Sequence, residues 1–250
     1  MTESHEIKSL RYSRHLRLDG FTQQSQKKLN AASVLIIGIG GLGTTASLYL
    51  ANSGIGKIIV NDYDSIDLTN LPRQILFNSN DLGSNKAETA KKKLLTFNPN
   101  ITVETLTEKL KENQLGEMAL DVDVVLDCTD NLQSRLLINK VCIKNKKSLI
   151  SGAAIRYEGH IAVFRNDIAT KSCYNCLYQQ EDENLENCEG SGILAPVAGL
   201  VGAAMATEAI KILVGQESML DNKLWVLDAK NNTNQIIKIT KSETCMECSL

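Results

Sequence analysis

The sequence predicts an α/β fold, a doubly wound and mainly parallel sheet with an antiparallel C-terminal extension. Three observations predict it. Between residues 34 and 152, short uninterrupted apolar runs alternate with helical patterns, as in strands buried on both faces by crossover helices. A glycine-rich turn, GIGGLG (38–43), stands between the first apolar run and the first helical stretch. After residue 152, strand-like runs no longer each lead into a helix, which antiparallel pairing permits and parallel pairing does not.

VLIIG (34–38) reads as the first strand, and residues 42–53 as a helix closed by Gly54 and Gly56, glycine being favoured just past a helix end. KIIVND (57–62) is the second strand. Residues 84–96 form a helix with Ala87, Ala90 and Leu94 on one side, stopped by NPN (98–100); Lys91 to Lys93 is its solvated face. ITVETL (101–106), DVVLDCT (123–129) and SLISG (148–152) are further strands, separated by helical stretches at 109–120 and 131–146. HIAVFR (160–165), LWVLDA (224–229) and QIIKIT (235–240) make the extension. Between them lie an acidic loop, 177–192, and a long helix beginning at Pro196, a residue suited to the first helical turn. One domain over 1–250 is expected: a helical arm (1–30), a nucleotide-binding half (31–152) and a C-terminal half (153–250).

A chain of 250 residues can bury one large core. Lys plus Arg is 27 against 29 Asp plus Glu, a net charge of −2, which removes the basic excess of a dedicated nucleic-acid or membrane-surface binder. The apolar stretches 34–56 and 193–214 are interrupted, the second by Pro196, Glu208 and Lys211, and read as core elements, not membrane spans. Three His leave few candidates for imidazole chemistry. Seven Cys, an odd number behind a polar N-terminus, point to a reducing compartment, hence the cytoplasm, and to metal or thiol chemistry.

Gly38, Gly40 and Gly43 fit G-x-G-x-x-G between strand and helix, a Rossmann-like setting in which backbone amides and a helix N-terminus meet a phosphate. Asp62 ends the second strand 19 positions after Gly43, where an acid can bind ribose hydroxyls. That fingerprint alone says NAD. Asn70 and Arg73 in NLPRQ (70–74), Lys86 early in the next helix, and Asp130 in DCTDN (127–131) say otherwise. Parallel strand ends converge on one crevice, so two cations, an amide and a carboxylate would stand beside the phosphates. Hydride transfer has no use for them there. A triphosphate under attack does: Arg and Lys balance developing charge, and the carboxylate can hold Mg²⁺.

Cys173-x-x-Cys176 and Cys245-x-x-Cys248 have zinc-knuckle spacing, and four thiolates make a closed tetrahedral structural site. The 68 intervening residues require the pairs to meet by tertiary folding. The alternative is two redox pairs, although neither opens a helix as a thioredoxin-like motif would. Cys128 and Cys142, in a strand and a helix, read as core residues.

GIGGLG, the Asp62 strand end, LTNLPRQILF (68–77), NKAETAKKKL (85–94), DCTDN, SGAAIRYEGHIAVF (151–164) and CYNC (173–176) together resemble the ThiF/MoeB/HesA family. Its members are E1-like adenylyltransferases that activate ubiquitin-like sulfur carriers, and the resemblance runs from RYSRHL (11–16) to CMEC (245–248). It implies that Gly41 and its neighbours contact ATP, that Asp62 binds the ribose, that Asn70, Arg73 and Lys86 hold the phosphates, and that Asp130 is the Mg²⁺-associated acid. Thr69, Leu71, Pro72 and Asn131 join the cofactor-binding set from the same motifs. Pro72 is a departure, since the family usually carries Gln there, and its fixed φ could alter the loop around Arg73. Arg14 matches an arginine that reaches into the partner subunit's site, which implies a homodimer. The resemblance agrees with structural Zn²⁺ on the four thiolates and makes the C-terminal half the carrier-binding and zinc half. Cys188, in the acidic loop, matches a cysteine that bonds to the carrier's thiocarboxylate in the thiamine branch and is dispensable in the molybdenum-cofactor branch.

The implied reaction is adenylation of a carrier's C-terminal glycine, in a Gly-Gly tail, with release of pyrophosphate. SGAAIRYEG favours the molybdopterin branch, while RQILF and RYSRHL suit the thiamine branch as well. The chain ends two residues after Cys248, so a separate sulfur donor is expected in place of a fused rhodanese domain. An NAD-dependent oxidoreductase and a non-catalytic nucleotide-binding scaffold are the readings from other classes. A tRNA-modifying relative finds no support in the near-neutral charge.

Overall fold

One eight-stranded sheet, ordered β3-β2-β1-β4-β5-β6-β7-β8, organises the computed structural model, which describes residues 10–168, 171–178 and 192–249. The strands are β1 (Ser33–Ile37), β2 (Lys57–Asn61), β3 (Thr102–Leu106), β4 (Val124–Asp127), β5 (Ser148–Ile155), β6 (Glu158–Arg165), β7 (Lys223–Asp228) and β8 (Thr233–Lys238). β1 to β5 pair in parallel, and β5 to β8 run antiparallel to one another in succession. The helices are α1 (Gln23–Ala31), α2 (Gly41–Ser53), α3 (Lys86–Phe97), α4 (Glu112–Leu120), α5 (Leu132–Lys144), the single turn α6 (Tyr174–Leu177) and α7 (Ala195–Val214). The expected fold class holds.

The apolar strands divide their side chains between two cores. Val34 and Ile36 of β1 face one core with Ala46 and Leu50 of α2 and Val201 and Met205 of α7. Leu35 and Ile37 face the other with Leu115 of α4 and Ile138 of α5. Burial on both faces is why these strands read as continuous apolar runs. α7 is long and apolar enough to cross a membrane, yet Val197, Val201, Met205 and Ala209 are buried in the core.

The boundaries differ from expectation where side chains cap or strands pair. α3 starts at Lys86 because the Asn85 side chain caps it, accepting from Glu88 N, and Asn131 caps α5 by accepting from Ser134 N. β5 runs past Gly152 to Ile155 because β6 pairs with it throughout, from Ser148↔Arg165 to Ile155↔Glu158. The intervening Arg156 takes φ 53°. β8 ends at Lys238, where its pairing with Lys223 ends. Within the arm, α1 is opened by a Thr22–Ser25 capping box. Lys93 is less solvated than expected, paired with Asp81 at 2.9 Å.

The segment carrying Arg14 is moored by Tyr12. Its hydroxyl accepts from Asn98 Nδ2 at 3.0 Å, and the same amide donates to Ala51 O at 2.6 Å. The ring lies over Gly54, which ends α2 with φ 86°; a Cβ there would stand 2.5 Å from Tyr12 Cζ. Gly54→Ala therefore meets both a strained backbone and the Tyr12 ring. We expect a loss of about 2–3 kcal/mol in denaturant unfolding, against about 1 kcal/mol for Tyr12→Phe. Equal midpoints for Gly54→Ala and the parent chain would contradict this packing.

Candidate active site

The parallel strands end at a cavity of about 620 Å³, lined by residues that follow β1, β2 and β4 and by Ala153 and Ala154 of β5. This volume is ordinary for a small-ligand pocket. Gly38, Gly40, Gly41 and Leu42 form one wall, so the N-terminus of α2 opens on it, as anion binding requires. Gly43 does not line the cavity. A Cβ there would run into the Gly38 carbonyl, so Gly43 serves by letting helix and strand turn close together.

Asp62 follows β2 and is only 9% exposed. Its Oδ2 accepts from Ile39 N at 2.8 Å and its Oδ1 from Asp64 N at 2.9 Å. Burial pushes this carboxyl above the usual range, against the pull of both amides and Lys86. Each oxygen keeps a further lone pair, and the residue lines the cavity. Lys86, 7% exposed at the first position of α3, gives Nζ to Asp64 Oδ2 at 2.9 Å. Asp64 was not among the sequence candidates, although its place two residues after Asp62, beyond the same strand end, is a readable signal. Tyr63 between them is held above its ordinary range by burial and by Asp64, Asp130 and Asp62. Asp62, Asp64 and Asp130 all line the cavity, and carboxylate oxygen is the donor type that a hard divalent cation takes.

The 68–74 segment folds as a 3₁₀ turn, Leu68–Asn70, capped by Asp67, and the amides of Arg73 and Gln74 both donate to Asn70 O. Pro72 sits exposed within this turn and lines the cavity. The turn closes around it, and Arg73 still lines the cavity with Nη1 on Thr69 O at 2.9 Å. Thr69 and Asn70 line it as well; Leu71 does not and packs against the core. Gln74 lines the cavity at 2% exposure with Oε1 unpartnered. Sequence reasoning passed over it, and only its burial marks it.

Asp130 and Asn131 line the opposite wall. Behind them Asp127 is fully buried and accepts from Thr129 N, Thr129 Oγ1 and Ser151 Oγ at 3.0, 2.7 and 2.9 Å. Burial pushes its carboxyl up, and Arg135 opposes this. Arg135, also missed from sequence, lines the cavity. Arg14 is exposed and lies outside the cavity of its own chain. Cys188 lies outside the described residues.

The four knuckle cysteines meet. Their sulfurs all lie within 4.8 Å of one another, with Cys173–Cys245 at 3.7 Å and Cys176–Cys248 at 3.5 Å. Ligands 2.3 Å from a tetrahedral Zn²⁺ would stand about 3.8 Å apart, so the donor set fits that ion. Two independent redox pairs would not need to converge. Burial, then neighbouring Cys176, pushes the Cys173 thiol up to about 12. Cys128 and Cys142 are buried with thiols pushed upward by desolvation, the core residues expected, although Cys128 also touches the cavity.

The ThiF family pattern matches residues 12–249. The chain is 38% identical over 248 residues to the molybdopterin-synthase adenylyltransferase of Escherichia coli K12, covering 99% of each chain. It is 37% identical over 239 residues to the sulfur carrier protein ThiS adenylyltransferase of the same organism, covering 96% of this chain and 94% of that one. Among solved structures, E. coli MccB with ATP superposes with a TM-score of 0.85 at 27% identity, covering 96% of this chain and 75% of that one. With its glycine turn, NLPRQ loop and knuckle cysteines assembled on one sheet, the chain belongs to the ThiF family.

Proposed function

We propose that the chain is an ATP-dependent adenylyltransferase acting on the C-terminal glycine of a ubiquitin-like sulfur carrier. The observation that carries this reading is the convergence of Arg73 and Lys86 on the cavity that also holds the α2 N-terminus and the carboxylates of Asp62, Asp64 and Asp130. In this reading Asp62 takes the ribose, and Asn70, Arg73 and Lys86 take the phosphates. Mg²⁺, held by Asp130 with Asp64 nearby, would neutralise the polyphosphate. The carrier's terminal carboxylate attacks the α-phosphorus, a C–O–P anhydride forms, and the α–β bond breaks to release pyrophosphate. No protein nucleophile is needed, so catalysis rests on positioning and electrostatics. Lys86 is pre-paired with Asp64, so a bound phosphate would exchange one anionic partner for another and leave Asp64 available to a cation.

The four thiolates would hold Zn²⁺ as a structural ion, tying residues 245–248 to α6. The exposed Arg14 supports a homodimer in which it serves the partner's site. The molybdopterin carrier is the preferred partner and the thiazole carrier the alternative, since relatives named for each are nearly equally similar. The free cysteines suit a cytoplasmic setting.

ATP–pyrophosphate exchange with each Gly-Gly-ended carrier tests the reaction. Exchange is expected with one of them, and Arg73→Ala or Lys86→Ala should lower it about a hundredfold or more. Exchange with neither, alongside an NADH-dependent absorbance change, would instead favour an oxidoreductase. Sharing of Arg14 has its own signature. Arg14→Ala and Lys86→Ala chains, each inactive alone, should on mixing regain roughly one quarter of parental activity, from random pairing in a two-fold dimer. Failure to complement would place Arg14 with its own chain.

A further inference from the structure

The cavity draws its lining from both sides of the sheet. Leu42 and Ala198 reach it from the core that holds α2 and α7, and Ile37, Leu115 and Ile138 from the core that holds α4 and α5. Asn61, the last residue of β2, belongs to this second side, because it stands two positions after Ile59 and side chains alternate along a strand. It is only 5% exposed and lines the cavity.

A buried amide needs partners, and Asn61 finds them on the chain leaving β3. Its Nδ2 donates to Leu106 O at 3.0 Å and to Glu108 O at 2.9 Å. The first carbonyl is held twice, since Asp62 N donates to it as well at 3.1 Å. The second is not. Among the described residues, the bond from Asn61 to Glu108 O is the only hydrogen bond made by residues 107–110. Lys109 and Leu110, the next two residues, line the cavity, and Leu110 also packs against the second core. One side-chain amide therefore sets where this stretch of wall stands.

We propose that Asn61 is a positioning residue for the nucleobase, holding the 107–110 wall so that Leu110 closes against the flat face of the adenine ring. The inference rests on the reading of the cavity as an ATP site. With the phosphates at the α2 N-terminus and the ribose on Asp62, the base is left for the second side, where Leu110, Leu115 and Ile138 offer an apolar surface.

The test measures the affinity of a non-hydrolysable ATP analogue at fixed Mg²⁺ in a double-mutant cycle. Asn61→Leu removes both donors at similar volume, and Leu106 O keeps the Asp62 amide. Leu110→Ala removes the wall side chain itself. Each should bind the analogue about tenfold more weakly, a change equivalent to one net hydrogen bond. The double variant should lose little more than either single one, because both act through one wall. Unchanged affinity in either single variant, or losses that multiply in the double, would overturn the positioning role while leaving the ATP site standing. Inorganic tripolyphosphate, which has no base, should bind the parent protein at least about tenfold more weakly than the analogue; equal affinity would also overturn the inference. Parent protein that binds no analogue would remove the nucleotide reading together with it. Should Asn61→Leu fail to fold, Asn61→Ser removes the same amide in less volume and enters the same cycle.

Discussion

A single buried carboxylate holds the end of β2 to the turn after β1. Asp62 accepts the amides of Ile39 and Asp64 at once, so the glycine turn, the α2 N-terminus and the start of the 64–86 segment are set relative to one another. Lys86 then reaches Asp64. Burial of the Asp62 carboxyl costs free energy, which the two amides and Lys86 oppose, and Asp62, Asp64 and Lys86 line the cavity.

The wall across the cavity is built by the same device. Asp127, fully buried, takes both polar groups of Thr129 and the Ser151 hydroxyl, and Arg135 closes over the Thr129 carbonyl. In both walls a buried carboxyl organises backbone, and the exposed acid that follows, Asp64 or Asp130, lines the cavity. The near-zero net charge of the chain is thus compatible with a strongly charged pocket, since few ions are involved and they are concentrated by topology.

The strand–helix alternation, the glycine turn, Asp62, Arg73, Lys86, Asp130 and the two Cys-x-x-Cys pairs were all legible in the sequence. Apolar runs and special residue types at fixed spacing are local signals. Gln74 and Arg135 were not legible. Each is an ordinary residue type without a spacing rule, and its meaning comes from burial at the cavity for Gln74 or from carbonyls on two other segments for Arg135. Boundaries shifted for a related reason. β5 reaches Ile155 because β6 pairs with it, and α3 and α5 start where Asn85 and Asn131 cap them.

By itself the sequence determined the fold class, the residue types of the nucleotide wall and the presence of four thiols at metal-binding spacing, because periodicity and short-range spacing are properties of the chain. Tertiary structure decided which of those residues share a cavity. It turned Gly43 and Leu71 away from it, brought Asp64 to Lys86, and carried Cys245 and Cys248 to Cys173 and Cys176. Such meetings depend on strand order and helix packing, which join residues with no fixed separation along the chain.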